Sequence, residues 1–191
     1  MKCPVCRTIS LDEKTNESGL KVYSCSECKG IWVRFDDYVN WKSKEENEHL
    51  FEAGVSNVAG NEANDYMPEY DSKKANLCPD CGRILIKYRV SSDIIFNVDH
   101  CGCCNGVWLD KNEWAVLVEN KLHKKMNDFF TAPWQNRLKE EMTKSRFAEL
   151  YKKKFGEESY NKLKEIKEWM NESELKNEML AYLTDDDPYK I

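Results

Sequence analysis

Eight of the nine cysteines lie in four CxxC pairs, and thiolates at that spacing chelate metal. Cys3/Cys6 and Cys25/Cys28 are separated by 18 residues, Cys78/Cys81 and Cys101/Cys104 by 19. Two CxxC knuckles 15–20 residues apart can approach one tetrahedral ion from opposite sides, the pattern of a four-thiolate zinc site. The flanks repeat as well. Cys3-Pro-Val-Cys6 is echoed by Cys78-Pro-Asp-Cys81, and Cys25-Ser-Glu-Cys28-Lys-Gly-Ile-Trp32 by Cys101-Gly-Cys-Cys104-Asn-Gly-Val-Trp108. The offset is 75 residues at the first pair and 76 at the last, so the chain carries an internal duplication of one metal-binding unit. The expected load is two Zn²⁺ per chain, although a site of four cysteines also suits iron. All-thiolate coordination leaves no position for water, so the expected sites are structural.

Cys103 is the ninth thiol. Its repeat counterpart is Glu27, and the Gly-x-Trp register assigns Cys104, not Cys103, to the second site. His49, His100 and His123 have no metal-like spacing and are expected in surface or packing roles. Pro4 and Pro79 fix a turn inside each first knuckle. Gly30 and Gly106 stand two residues past the last ligand, where either a positive φ or a close backbone approach is needed. Trp32 and Trp108 are expected to cover the metal site or the ribbon–helix junction.

The elements that must position these residues follow from local pattern. Gly19–Ser24 reads as a short strand leading to the second knuckle, followed by a helix from about Asp36 to Glu52. Residues 54–76, with Gly54, Gly60 and Pro68, read as a linker. Arg83–Val90 and Ile94–Val98 read as strands of the second ribbon, joined by a turn at Ser91–Asp93. Asp110-Lys-Asn-Glu113 has the form of a capping box for a helix over about 111–122, whereas the first repeat has Arg34-Phe-Asp-Asp37 there. From Pro133 onward apolar residues recur at helical spacing, with Gly156 and Asn171–Glu174 as boundaries and Asp185–Pro188 as a stop. The expected fold is a small, metal-stabilised α+β chain. Residues 1–53 form a β-rich zinc ribbon with four cysteine ligands and its helix, 54–76 a linker, 77–130 a second such ribbon and helix, and 131–191 an α-helical region.

Composition narrows the function. Hydrophobic residues make up 41% of the 191 positions and charged residues 33%, enough for a core and without an apolar run that would span a membrane. The start, Met-Lys-Cys-Pro, carries no apolar signal segment, so the expected location is cytoplasmic, where paired cysteines serve metal and not disulfides. The net charge of −5 is uneven: −6 over residues 1–120, +6 over 121–154 and −5 over 155–191. Each Zn²⁺ with four thiolates adds −2, so two filled sites take the ribbon half to −10, a poor partner for nucleic-acid phosphates. No nucleophile–base pair, phosphate-binding glycine loop or HExxH is present, and no catalytic activity is expected.

The constellation CPxC…CxxCxG[IV]W[LV]D followed by a helix opening with Glu resembles the bacterial zinc-ribbon family named for its likeness to the N-terminal ribbon of transcription factor IIB. The second repeat matches at Cys78, Pro79, Cys81, Cys101, Cys104, Gly106, Val107, Trp108, Leu109, Asp110 and Glu113. The first keeps Cys3, Pro4, Cys6, Cys25, Cys28, Gly30, Ile31 and Trp32 but has Arg34 in place of Asp. The resemblance implies zinc and a ribbon fold and no particular activity.

The leading expectation is a non-enzymatic adaptor with a protein partner. A transcription-associated nucleic-acid binder using the basic 121–154 segment is the first alternative. A metal- or redox-handling protein using Cys103 and labile CxxC pairs is the second. The apolar stripe of the tail (Trp134, Leu138, Phe147, Tyr151, Phe155, Tyr160, Ile166, Trp169) is expected to bury itself on the ribbons or in a homodimer interface.

Overall fold

A computed structural model describes residues 1–51 and 74–189, with the backbone alone for 46–51. The expected linker therefore lies almost wholly outside the described residues, as does the side chain of His49.

Each repeat folds as three short strands and a helix. The first gives β1 (Asp12–Thr15), β2 (Lys21–Ser24), β3 (Ile31–Val33) and α1 (Phe35–Phe51). The second gives β4 (Ile86–Arg89), β5 (Asn97–His100), β6 (Val107–Leu109) and α2 (Glu113–Glu119). An eight-residue 3-10 helix, His123–Phe130, follows. The tail is α3 (Ala132–Phe155), α4 (Glu157–Asn171) and α5 (Lys176–Thr184). Gly156, at φ 82°, breaks α3 from α4. Among the described residues no helix is long and apolar enough to cross a membrane.

The two repeats do not stand apart. Their strands make one six-stranded antiparallel sheet in the order β1-β2-β3-β6-β5-β4. The central pair is β3 with β6, in the register Ile31↔Leu109, Trp32↔Trp108 and Val33↔Val107. Like elements therefore meet like elements, the arrangement of a two-fold dimer interface built within one chain. A ribbon of some 30 residues has little interior of its own, and the pairing supplies a shared one. Leu20, Val22, Val33, Tyr38 and Trp41 of the first repeat are buried with Val90, Phe96, Val98, Val107, Leu109 and Leu117 of the second.

The 3-10 helix closes this core with Met126 and Phe129. Tyr38 Oη donates to the carbonyl of His123 at 2.9 Å and accepts from the N–H of Met126 at 3.1 Å. Trp114 of α2 donates to Ser18 Oγ of the first repeat at 3.2 Å. Residues Met1–Leu138 are one compact unit and Lys139–Ile191 another. The ribbon boundaries expected at 1–53 and 77–130 thus mark sequence repeats inside a single body.

The first turns of α3 belong to that body. Trp134 packs on the core and donates to the carbonyl of Val90 at 3.1 Å, while Gln135 donates to those of Arg89 (2.8 Å) and Phe129 (2.7 Å). Beyond those turns most of the stripe is exposed, with Tyr160 half-buried. Leu138 is buried, whereas Phe147, Tyr151, Phe155, Ile166 and Trp169 are between 43% and 61% exposed.

Two helix starts differ from expectation. α2 begins at Glu113, not 111, because Asn112 sits in the left-handed region (φ 71°) with no side-chain cap bond. One bond of the expected capping box is present: Glu113 Oε2 accepts from the Asp110 N–H at 2.8 Å. Asp110 Oδ1 also accepts from the Trp108 indole at 2.7 Å. At the other boundary, Ser173 Oγ accepts from the N–H of Leu175 and α5 starts at Lys176, so Asn171 opens no helix.

Candidate metal centres

All nine cysteines are free thiols. Each knuckle is shaped by the backbone around its pair. The residue after the second cysteine is left-handed in all four: Arg7 (φ 64°), Lys29 (59°), Gly82 (73°) and Asn105 (56°). That conformation lets its N–H return to the carbonyl of the first cysteine, at 2.8 Å for Arg7→Cys3, 3.1 Å for Lys29→Cys25, 2.9 Å for Gly82→Cys78 and 2.9 Å for Asn105→Cys101. The first knuckles also turn an N–H on the leading sulfur, Cys6→Cys3 Sγ at 3.3 Å and Cys81→Cys78 Sγ at 3.4 Å. The bridges Lys2↔Ser10 and Leu77↔Ile84 hold each first knuckle as a small hairpin.

These turns bring together Cys3, Cys6, Cys25 and Cys28 in one group and Cys78, Cys81, Cys101 and Cys104 in another, with all four sulfurs of each within 4.8 Å of one another. The closest sulfurs are 3.6 and 3.8 Å apart in the first group (Cys3–Cys28, Cys6–Cys25) and 3.5 and 3.4 Å in the second (Cys78–Cys104, Cys81–Cys101). A tetrahedron with zinc–sulfur bonds of about 2.3 Å has sulfur edges of about 3.8 Å. The donor set fits Zn²⁺ and fills all four positions.

Burial pushes the Cys3 thiol up to about 11 and raises Cys28, Cys78 and Cys104. Cys25 and Cys101 go the other way. Burial opposes their thiolates, but backbone N–H groups of Cys28 and Glu27, and of Cys104 and Cys103, outweigh it, taking Cys101 down to about 7. In each site one thiol, Cys25 or Cys101, is thus disposed to give up its proton more readily than its neighbours, and a bound cation displaces the protons of all four.

Cys103 is exposed and belongs to neither group. His100 is a packing residue, stacked on Phe130 with centroids 3.9 Å apart. His123 lies against Trp41 and Trp114.

The repeated glycines and tryptophans face one another across the two ribbons. A Cβ on Gly30 would lie 2.3 Å from Trp108 Cζ2, and one on Gly106 would lie 2.2 Å from Trp32 Cζ2. Neither glycine has a positive φ; close approach is what excludes a side chain. Trp32 and Trp108 are buried in one cluster with Cys3, Cys25, Cys78 and Cys101, so each indole covers metal ligands while wedged on the opposite repeat.

Sequence reasoning missed one polar group at this seam. Trp32 Nε1 donates to Asp80 Oδ2 at 2.9 Å, and Arg34 pairs with the same carboxylate at 2.8 and 3.1 Å. Arg34 also lies 4.6 Å over the Tyr23 ring. Burial works against the Asp80 carboxylate, but the guanidinium and the indole outweigh it and hold it below the usual carboxylate range. The signal was present: Arg34 stands where Asp110 stands in the second repeat, and Asp80 where Val5 stands in the first.

Residues 2–44 and 77–120 match the family model described as "Transcription factor zinc-finger", one copy each. No curated protein and no solved structure matches the chain.

Proposed function

We propose that this chain, whose two ribbons belong to the transcription factor zinc-finger family, is a non-enzymatic interaction module that uses two structural Zn²⁺ ions to hold a rigid base and its helical tail to engage protein. Zinc serves the fold: each ion takes four thiolates and keeps no place for water or substrate. A reducing compartment such as the cytoplasm keeps those thiols available to metal.

The exposed apolar surface of residues 139–191 carries the reading. Leu163, Ile166, Trp169, Leu175, Tyr182 and Leu183 are between 45% and 62% exposed in a unit of 53 residues, and apolar surface of that extent marks an interaction site. Charge favours protein over nucleic acid, since the ribbon half reaches −10 with metal. The test is capture from native lysate by the zinc-loaded chain and by Trp169→Glu, each checked for two zinc ions. Proteins recovered by the first and lost with the second are expected. Capture indifferent to Trp169, or abolished by nuclease, would overturn the reading.

A further inference from the structure

The tail unit carries two complementary surfaces. The first is a groove of about 970 Å³ between α3 and α4, floored by Phe147, Tyr151, Phe155, Tyr160 and Leu163. Its aromatic wall is a ladder at four-residue steps, with ring centroids 6.4 Å apart from Phe147 to Tyr151 and 5.6 Å from Tyr151 to Phe155. The rim is cationic: Lys144, Lys164 and Lys167 stand around it against one carboxylate, Glu168. An apolar floor with a lysine rim suits a helix that offers apolar side chains and carries acidic residues at its flanks.

The second surface is α5 together with the acidic residues that flank it. α5 and the turn before it expose Leu175 (56%), Leu180 (44%) and Leu183 (62%). Residues 172–189 hold six acidic side chains and one basic, and end on exposed Asp185, Asp186 and Asp187. α5 does not fill its own chain's groove, whose lining comes entirely from residues 144–171. A foreign partner in the groove would leave α5 uncovered. A second copy covers both.

We propose that two copies of this chain associate by exchanging these surfaces, the acidic α5 segment of each lying in the lysine-rimmed aromatic groove of the other. The exchange is reciprocal, so it closes as a two-fold dimer. It rests on the reading of the tail as an interaction surface and names the occupant.

Sedimentation equilibrium of the full zinc-loaded chain tests it. The expected mass is twice 22.4 kDa, with dissociation promoted by salt. Lys164→Glu with Lys167→Glu, and separately Asp185→Lys, Asp186→Lys and Asp187→Lys, each set like charges face to face and should weaken the dimer about tenfold or more. All five positions are exposed, and helical content with two bound zinc ions verifies that each variant is folded. Mixing the two variants should restore a mixed dimer, because each groove then meets a segment of opposite charge. A monomeric wild-type chain at its highest soluble concentration would overturn the proposal, as would a dimer that neither charge reversal weakens. If the chain is monomeric and Trp169-dependent capture persists, the self-association falls and the broader reading stands.

Discussion

The two repeats solve one problem, fixing a buried indole beside a metal site, with the same carboxylate drawn from different places. Trp108 bonds Asp110, two residues away in its own ribbon. Trp32 bonds Asp80, 48 residues away in the other ribbon, and Arg34 stands where an aspartate would otherwise be. The second ribbon is self-sufficient at this point; the first borrows. Duplication made a two-fold seam, and the two halves then diverged at positions that face one another. An arginine facing an aspartate across the seam distinguishes the halves, which a symmetric seam cannot do.

The strongest way to break this asymmetry is to remove one metal. Structural zinc contributes roughly 10–16 kcal/mol to folding of such units at neutral pH. Cys104→Ser should lower zinc from two ions to one, and Cys28→Ser should do the same. The consequences for the remaining site should differ. Unfolding the second ribbon removes Asp80 from Trp32 as well as β6 from β3, so the first site should release zinc to a chelator faster than the second does after Cys28→Ser. Zinc release followed with a colorimetric chelator reads both rates. Equal rates would show that the borrowed aspartate does not matter to metal retention, and an unchanged surviving site in both variants would show that the ribbons are independent.

Filling the seam comes next. Gly30→Ala and Gly106→Ala each drive a methyl group into an indole, at 2.3 and 2.2 Å. Overpacking of this kind costs about 1–3 kcal/mol, and more where the neighbour cannot move. Both indoles are essentially buried and each is held by a hydrogen bond, so the upper end is expected. Chemical denaturation of the zinc-loaded chain gives the two values. They should be alike, since the steric seam is symmetric where the polar one is not.

Much of this was legible in the sequence, for physical reasons. Thiolate spacing dictates the metal groups, because four sulfurs must reach a single ion, and the left-handed turns that follow are what that reach requires. Helical periodicity gave α1, α3 and α4 to within a residue or two. What could not be read was the seam. Nothing local distinguishes a glycine needed for its own φ from one needed because Trp108 packs against it from the other repeat. Asp110 reads as a helix cap because Glu113 follows at the right spacing, and Glu113 does accept from its N–H; that its carboxylate also meets the indole of Trp108 in β6 is visible only once the strand is placed. The stripe of the tail, expected on the ribbons or in a dimer interface, divides: Trp134 and Leu138 pack within Met1–Leu138, whereas Phe147, Tyr151, Phe155, Ile166 and Trp169 are exposed in the single chain, as residues of a dimer interface would be.

The polar seam should be worth less than the steric one. The Arg34 side chain is 43% exposed and that of Asp80 22%, so solvent screening reduces the pair. Arg34→Ala should cost about 1 kcal/mol. Asp80→Ala also strips a buried indole of its acceptor and should cost about 1–3 kcal/mol. Arg34→Asp alone places two carboxylates together and should be the worst of the single changes at this pair. Combined with Asp80→Val, it rebuilds in the first repeat the arrangement of the second, an aspartate two residues after the tryptophan facing a valine. The double variant should recover most of the loss, measured as a coupling energy in a double-mutant cycle. Additive costs would mean that the two repeats have diverged beyond this exchange.

The smallest expected effect is at the ninth cysteine. Cys103 and Glu27 occupy the same place in the two second knuckles, and both are exposed. The side chain at this place lies outside the sulfur group, and its backbone N–H supports the preceding thiolate, Cys101 in one repeat and Cys25 in the other. A backbone donor survives any ordinary substitution. Cys103→Ser and Cys103→Glu should therefore keep two zinc ions and shift stability by no more than about 0.5 kcal/mol, with Cys103→Glu making the knuckles alike at that position. Elemental analysis and a denaturation curve suffice. Loss of one zinc from Cys103→Ser equal to that from Cys104→Ser would move the ligand register by one residue and undo the pairing of the repeats on which the comparison rests.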